Sequence, residues 1–263
     1  MVATAVADDP GLSKVAAEQG CPQQIIALLD TIEKADEAGT LSQDLASRGR
    51  EVSQYIENMA NIQGSLIALA SLALSLDSTR VLITESDPPT LVYLLEALSH
   101  PSYGVRAAAC QLTRALSRTV SLVRTSLIDC GIGDAIIETL IQEVSDRHKR
   151  NLAPDSERGH EGKWGGQSYT VEMTAMIALS NLIADFSPLK EVSRSSNSVE
   201  GQALTGQKIL AGPGIDTICA LTHSPVEEMA LNALWTIKNA MFKSTESMKS
   251  RIVSALGVDH LKQ

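Results

Sequence analysis

The sequence predicts an all-α fold, a solenoid of stacked helical units, and three observations predict it. One helical pattern is written four times along the chain. A turn residue recurs ahead of a shorter apolar helix in each unit. The apolar content is high, 44% of 263 residues, yet only 3% are aromatic, so Leu, Ala, Ile and Ser must build the buried faces. Small apolar faces suit close helix-on-helix packing and suit a β-sandwich poorly.

The fullest copy of the pattern is MALNALWTIKNAMF at 229–242. Leu231, Leu234, Ile237 and Met241 recur at three- and four-residue steps, the period of a helix with one buried face. Trp235 and Asn239 lie one turn apart on a second face. AMIALSNL at 175–182 aligns without a gap, with Ile177 at the place of Trp235 and Asn181 at that of Asn239. AACQLTRA at 108–115 supplies Cys110 and Arg114, and SLIALASL at 65–72 supplies Ile67 and Ser71.

The second landmark is Gly20 before CPQQIIALL, Ser86 before DPPTLVYLL, Gly131 before IGDAIIETL, Gly212 before PGIDTICAL and Gly257 before VDHLKQ. Glycine there is a normal close to the preceding helix, because it accepts the left-handed conformation that ends the last turn. Five, six and nine residues on lie Ile25, Ile26, Leu29; Leu91, Val92, Leu95; Ile136, Ile137, Leu140; and Thr217, Ile218, Leu221. Each unit reads as short helix, turn, medium helix, turn, long helix. From 86 to 108 is 22 residues and from 212 to 233 is 21, whereas 20 to 65 is 45 and 131 to 175 is 44. Two units are therefore compact and two carry an insertion at the same joint.

The insertions, about 31–52 and 143–168, are polar and charged, and the second, Gly-rich, is expected to be a mobile loop; a helical turn or two fits the first. A third polar stretch, 187–206, reads as loop from its Ser-Pro opening and the run SRSSNSVEGQ. A three-helix unit with glycine after its first helix, repeating at 43 to 45 residues, is the pattern of armadillo repeats. One armadillo array over 1–263 is expected, with repeats at about 20–85, 86–130, 131–211 and 212–256, wound as a right-handed superhelix whose long helices line a groove.

Specific runs carry a resemblance. GVRAAACQLTRALSRTVSLVRTSLIDCG, MIALSNLIADFSPLKE and NALWTIKNAMFKSTESMKSRIVSALG resemble the C-terminal half of the armadillo-repeat subunit of the GID/CTLH ubiquitin ligase, over about 102–256. The two long insertions have no counterpart. The resemblance implies a non-catalytic subunit that links a substrate receptor to the ligase scaffold, with the receptor's tail in the groove. The family's polypeptide is longer, and this chain begins near the end of one repeat and stops inside another, as a partial or truncated product would.

Residues four apart on each long helix form the expected groove ladders: Gln63, Ile67, Ser71, Ser75; Arg106, Cys110, Arg114, Arg118; Met173, Ile177, Asn181, Asp185; and Leu231, Trp235, Asn239, Lys243. In armadillo proteins a Trp and an Asn at this spacing hold an extended peptide, the amide on its backbone and the indole on its side chains. Trp235 admits a core and a groove reading; because Leu234 and Ile237 fill the core positions, the groove reading is preferred. Asn181 and Asn239 read either as solvated helix residues or as peptide contacts. Arg106, Arg114 and Arg118 could hold a carboxylate by bidentate bonds, or simply be solvated. The protein-binding set is thus Arg106, Arg114, Arg118, Ile177, Asn181, Trp235, Asn239 and Lys243.

Other chemistry finds little support. A net charge of −9 argues against wide contact with nucleic acid. Cys21, Cys110, Cys130 and Cys219 are far apart with no CxxC pair, so neither a metal cluster nor a disulfide framework is expected. His100 and His223, in LSHPS and LTHSP, read as turn residues, and His148 and His160 lie in the polar insertion without ligand-like companions. DRHKR at 146–150 is a short, weak match to an import signal. No nucleophile motif, phosphate loop or carboxylate pair points to an enzyme, and no cofactor is implied. The N-terminus lacks the form of a signal peptide, and the apolar stretch 66–76 is too short for a membrane span, so a soluble cytoplasmic and nuclear protein is expected. Its expected partners are the substrate-receptor and scaffold subunits of a ubiquitin ligase, with no nucleic acid and no membrane. The rival reading, an importin-like or catenin-like adaptor for another extended peptide, needs several Trp–Asn pairs and an acidic rim; the ladders offer one Trp and an Arg-rich helix.

Overall fold

A helix with one apolar stripe is stable only against a neighbour, and here the repeated stripes find one another. In a computed structural model, residues 9–37, 45–87, 89–118, 121–149, 162–164, 167–183, 212–242 and 244–257 are described. The first unit is α1 (Pro10–Glu18), α2 (Cys21–Glu37) and α3 (Leu45–Ser75); the second is α4 (Asp77–Thr84), α5 (Thr90–Leu98) and α6 (Tyr103–Leu116). The third is α7 (Ser121–Asp129), α8 (Ile132–Lys149), the strands β1 (Gly162–Trp164) and β2 (Gln167–Tyr169), and α9 (Val171–Leu182). Then come α10 (Pro213–Leu221), α11 (Glu227–Met241) and α12 (Glu246–Leu256).

The long helices α3, α6, α9 and α11 pack side by side in sequence, and the medium helices α2, α5, α8 and α10 form a second layer. This is an all-α solenoid. The four alignable helices agree in burial at three columns: Ser65, Ala108, Ala175 and Ala233; Leu69, Leu112, Leu179 and Ile237; and Leu72, Ala115, Leu182 and Ala240 are all buried. Seams lined by Ala and Ser let the backbones approach, which explains how so few aromatic residues suffice. At the α3–α6 contact Gly104 leaves room for the Gln63 side chain, into which a Cβ would run.

Gly20, Gly131, Gly212 and Gly257 have φ of 75°, 83°, 86° and 77°, the left-handed turn that a β-carbon would strain. The second unit solves the joint differently. Ser86 Oγ donates to Ile83 O at the end of α4 and accepts from Thr90 N at the start of α5. With that change the register slips one residue: Leu91 and Leu94 are buried, whereas Val92 is 47% exposed. Val92 is therefore not a core residue.

Both insertions are more regular than their composition suggests. α2 and α3 together take up most of 31–52, leaving 38–44 outside the described residues. The expected loop at 143–168 is corrected at both ends. α8 runs on to Lys149 because Glu143 and Arg147 are held by partners, and β1 pairs antiparallel with β2, Lys163 opposite Ser168. The stretch 187–206, His160 and Asp185 lie outside the described residues. No helix of the described residues is long and apolar enough to cross a membrane.

Candidate functional site

The outer surface of the long-helix layer carries the candidate site. On α11 the face toward α9 is fixed by three side chains: Asn232 Nδ2 reaches Met173 Sδ at 3.7 Å, Thr236 Oγ1 reaches Met176 Sδ at 3.5 Å, and Asn239 Nδ2 donates to Ser180 O at 3.3 Å. Met229, Ala233, Ile237 and Ala240 fill the core side. With 3.6 residues per turn, the remaining arc belongs to Leu231, Trp235, Lys238 and Phe242. Trp235 is 49% exposed, and Leu231 and Phe242 are exposed with it. The Lys238 ammonium lies 4.2 Å from the Trp235 ring centroid, a cation–π contact that fixes the indole and brings a positive charge to the apolar patch.

Leu234 is a correction. Its counterparts Leu66, Ala109 and Met176 are fully buried, but Leu234 is 45% exposed, because no described long helix covers that side of α11. The buried stripe of α11 is Met229, Ala233, Ile237 and Ala240, not Leu231 and Leu234.

Asn181 and Asn239 behave alike, as their alignment requires. Asn181 Nδ2 donates to Ser117 Oγ at 3.3 Å and to Arg114 O at 3.5 Å, so each amide bridges to the end of the preceding long helix. Both are half-buried, and no hydrogen bond to either Oδ1 is present among the described residues. Each amide is thus fastened through its nitrogen, with its oxygen left as an acceptor. Ile177 is half-buried against the core.

The arginine row divides. Arg118 is exposed at the end of α6. Its charge is felt by the buried Arg80, whose pKa is lowered by burial and further by Arg118, against the opposing pull of Asp77. Arg114 is half-buried, with Nη1 donating to Gln111 Oε1 at 3.4 Å. Arg106 does not share their role: Nε and Nη2 donate to Glu143 on α8, and Nη1 donates to His100 O at 2.7 Å and Pro101 O at 2.9 Å. It ties the second unit to the third.

Cys110, Ser71 and Met173 are buried, so those rungs of the ladders are not groove residues. The reason is geometric: a four-residue step advances roughly 40° beyond one turn, so a four-rung ladder sweeps about 120° of the helix surface and takes in buried as well as exposed positions. Lys243 lies outside the described residues. Sequence reasoning missed Lys238 and Phe242; the three-residue step from Trp235 to Lys238 could have found the first.

The described histidines make local contacts. His100 Nδ1 accepts from Ser102 N at 2.9 Å, and His223 Nδ1 lies 3.2 Å from Thr222 Oγ1, both within turns. His148 is on α8, its Nδ1 2.7 Å from Val144 O. All four cysteines are free thiols; burial pushes the pKa of Cys110 well up and that of Cys219 up to about 11.

No model of a known protein family matches the chain. Among curated proteins it is similar to Armadillo repeat-containing protein 8 of Danio rerio, 28% identical over 199 residues, or 76% of this chain and 24% of that protein. It is similar to GID complex subunit 5 of Schizosaccharomyces pombe, 27% identical over 200 residues, 76% of this chain and 20% of that protein. The Xenopus laevis Armadillo repeat-containing protein 8 is 25% identical over 201 residues, 76% of this chain and 22% of that protein. These are homologues, and the chain spans about a quarter of their length or less. Among solved structures, a designed armadillo repeat protein in complex with the peptide (KR)4 has a TM-score of 0.61 at 16% identity, covering 99% of this chain and 81% of that one. That likeness shows the armadillo-repeat fold.

Proposed function

We propose that this chain is a non-catalytic adaptor of a GID-type ubiquitin ligase, holding an extended segment of the substrate-receptor subunit on its long-helix layer and serving ubiquitin-dependent degradation in the cytoplasm and nucleus. The homology to GID complex subunit 5 and to Armadillo repeat-containing protein 8 supports the assembly. The observation that carries the site is the Trp235–Lys238 stack beside exposed Leu231 and Phe242, in a protein whose other fully aligned long helices bury or half-bury the same column.

The site comprises Arg114, Arg118, Ile177, Asn181, Trp235, Lys238 and Asn239, while Arg106 is taken up by Glu143. The indole and Phe242 supply apolar contact, and the Asn Oδ1 atoms offer acceptors to a passing backbone N–H. Arg118 and Lys238 favour acidic side chains or a terminal carboxylate. A basic segment of the (KR)4 kind would meet like charge here, which disfavours an importin-like role.

Co-expression with the receptor and scaffold subunits of a GID ligase, followed by size-exclusion chromatography, tests this reading. The wild-type chain co-elutes with both, and Trp235→Ala loses the receptor while keeping its own fold. Failure of the wild-type chain to join either subunit contradicts it.

A further inference from the structure

One side of α11 is open where the same side of every other long helix is closed. Ile62, Val105 and Glu172, then Leu66, Ala109 and Met176, then Ala73, Leu116 and Ile183 are all buried. Their α11 counterparts Ala230 and Met241 are half-buried, and Leu234 is exposed. This side is also no plain copy of the earlier seams. Where those carry Ala70, Thr113 and Ser180, small enough for a neighbouring backbone to come close, α11 carries Lys238. A helix laid here must give that ammonium a carboxylate.

The order of residues along the stripe says which helix can do so. Glu227, Leu231, Leu234 and Lys238 follow at steps of four, three and four, which places all four within about 60° of arc. All four are exposed. Glu227 opens the helix, and Lys238, steadied by its stack on Trp235, ends the stripe. Steps of four, three and four read the same from either end. A second such stripe, turned antiparallel about an axis between Leu231 and Leu234, sets Leu231 against Leu234 and Glu227 against Lys238, twice over. Set parallel in the same register, it would put Glu on Glu and Lys on Lys.

We infer that this stripe is a docking site for a second copy of the chain, packed antiparallel on α11 across a two-fold axis. The four leucines supply the apolar contact, and the two ion pairs at its edges set direction and register more than affinity. A single helix face makes an interface at the small end of the specific range, so the dimer forms at micromolar rather than nanomolar concentration. The inference does not rest on the groove reading: Trp235 lies about 100° round the helix from Leu234, toward α9.

Sedimentation equilibrium of the full chain, from about 1 to about 200 µM, tests the site. The wild-type mass should climb from one chain toward two and level there. Leu234→Glu should raise the dissociation constant about tenfold or more. Glu227→Lys and Lys238→Glu should each raise it about threefold or more, although they move the net charge in opposite directions. Glu227→Lys/Lys238→Glu rebuilds the pair across the axis and should return to within about twofold of wild type, as should Trp235→Ala. Circular dichroism melting shows which variants fold, and the exposed charge reversals keep the test decisive if Leu234→Glu does not. A mass that stays at one chain, or one that passes two as open-ended stacking would give, would overturn the site. So would single reversals that the double exchange fails to repair, or a loss in Trp235→Ala equal to that in Leu234→Glu.

Discussion

Two residues that look alike in the sequence, Arg106 and Arg118, have different surroundings: Arg106 pairs with the buried Glu143 of α8, whereas Arg118 is exposed just past the end of α6. Arg106 and Glu143 have side chains 18% and 2% exposed, so either one alone would be left largely desolvated. Glu143→Ala should therefore cost about 3–5 kcal/mol of stability, measured by urea unfolding, because it strands the guanidinium. Trp235 lies at the other extreme. Half exposed and stacked on Lys238, it should tolerate truncation: Trp235→Ala should leave the melting temperature nearly unchanged while weakening partner binding by about 1–3 kcal/mol. A fall in stability of the 3–5 kcal/mol size expected for a core aromatic would show the indole to be structural after all.

Whole helices were more legible in the sequence than single side chains. The gap-free alignment of α3, α6, α9 and α11 fixed the core columns, since a period of 3.6 leaves only one register that buries Leu69, Leu112, Leu179 and Ile237 together. The glycine landmarks were legible because a positive φ excludes most other residues. The proposed groove residues were less so, because a ladder of four-residue steps sweeps across the helix surface and takes in the buried Cys110 and Met173, and because exposure of Leu234 depends on a neighbour rather than on its own helix. The Arg106–Glu143 pair spans 37 positions and leaves no local signal. Helix α8 extends past its apolar pattern, held by Arg147 Nη2 to Glu172 Oε1 at 2.7 Å. Trypsin should accordingly spare Arg147 in the native protein, and early cleavage there would show α8 to end sooner. On α10, burial holds the Cys219 thiol up to about 11 against an ordinary 9.0, so the folded chain keeps a proton that the unfolded chain releases above pH 9. The stability this group contributes is present below about pH 9 and is lost as pH rises toward about 11. Wild type should lose more stability than Cys219→Ala across that window in urea titrations; equal losses would place the thiol in water.

At the scale of the molecule, a chain of net charge −9 exposes the cations Arg118 and Lys238, which the proposed site uses. Charge so placed acts on partner choice and association more than on folding. The most direct measurement is isothermal titration of a receptor-tail peptide against wild type and Arg114→Glu/Arg118→Glu, at about 0.05 and about 0.3 M salt. The account predicts binding by wild type that weakens with salt, and a loss of about tenfold or more in the reversed protein with its fold intact. Unchanged affinity in the doubly reversed protein would contradict the account, because the cations that select the partner would then have no part in holding it.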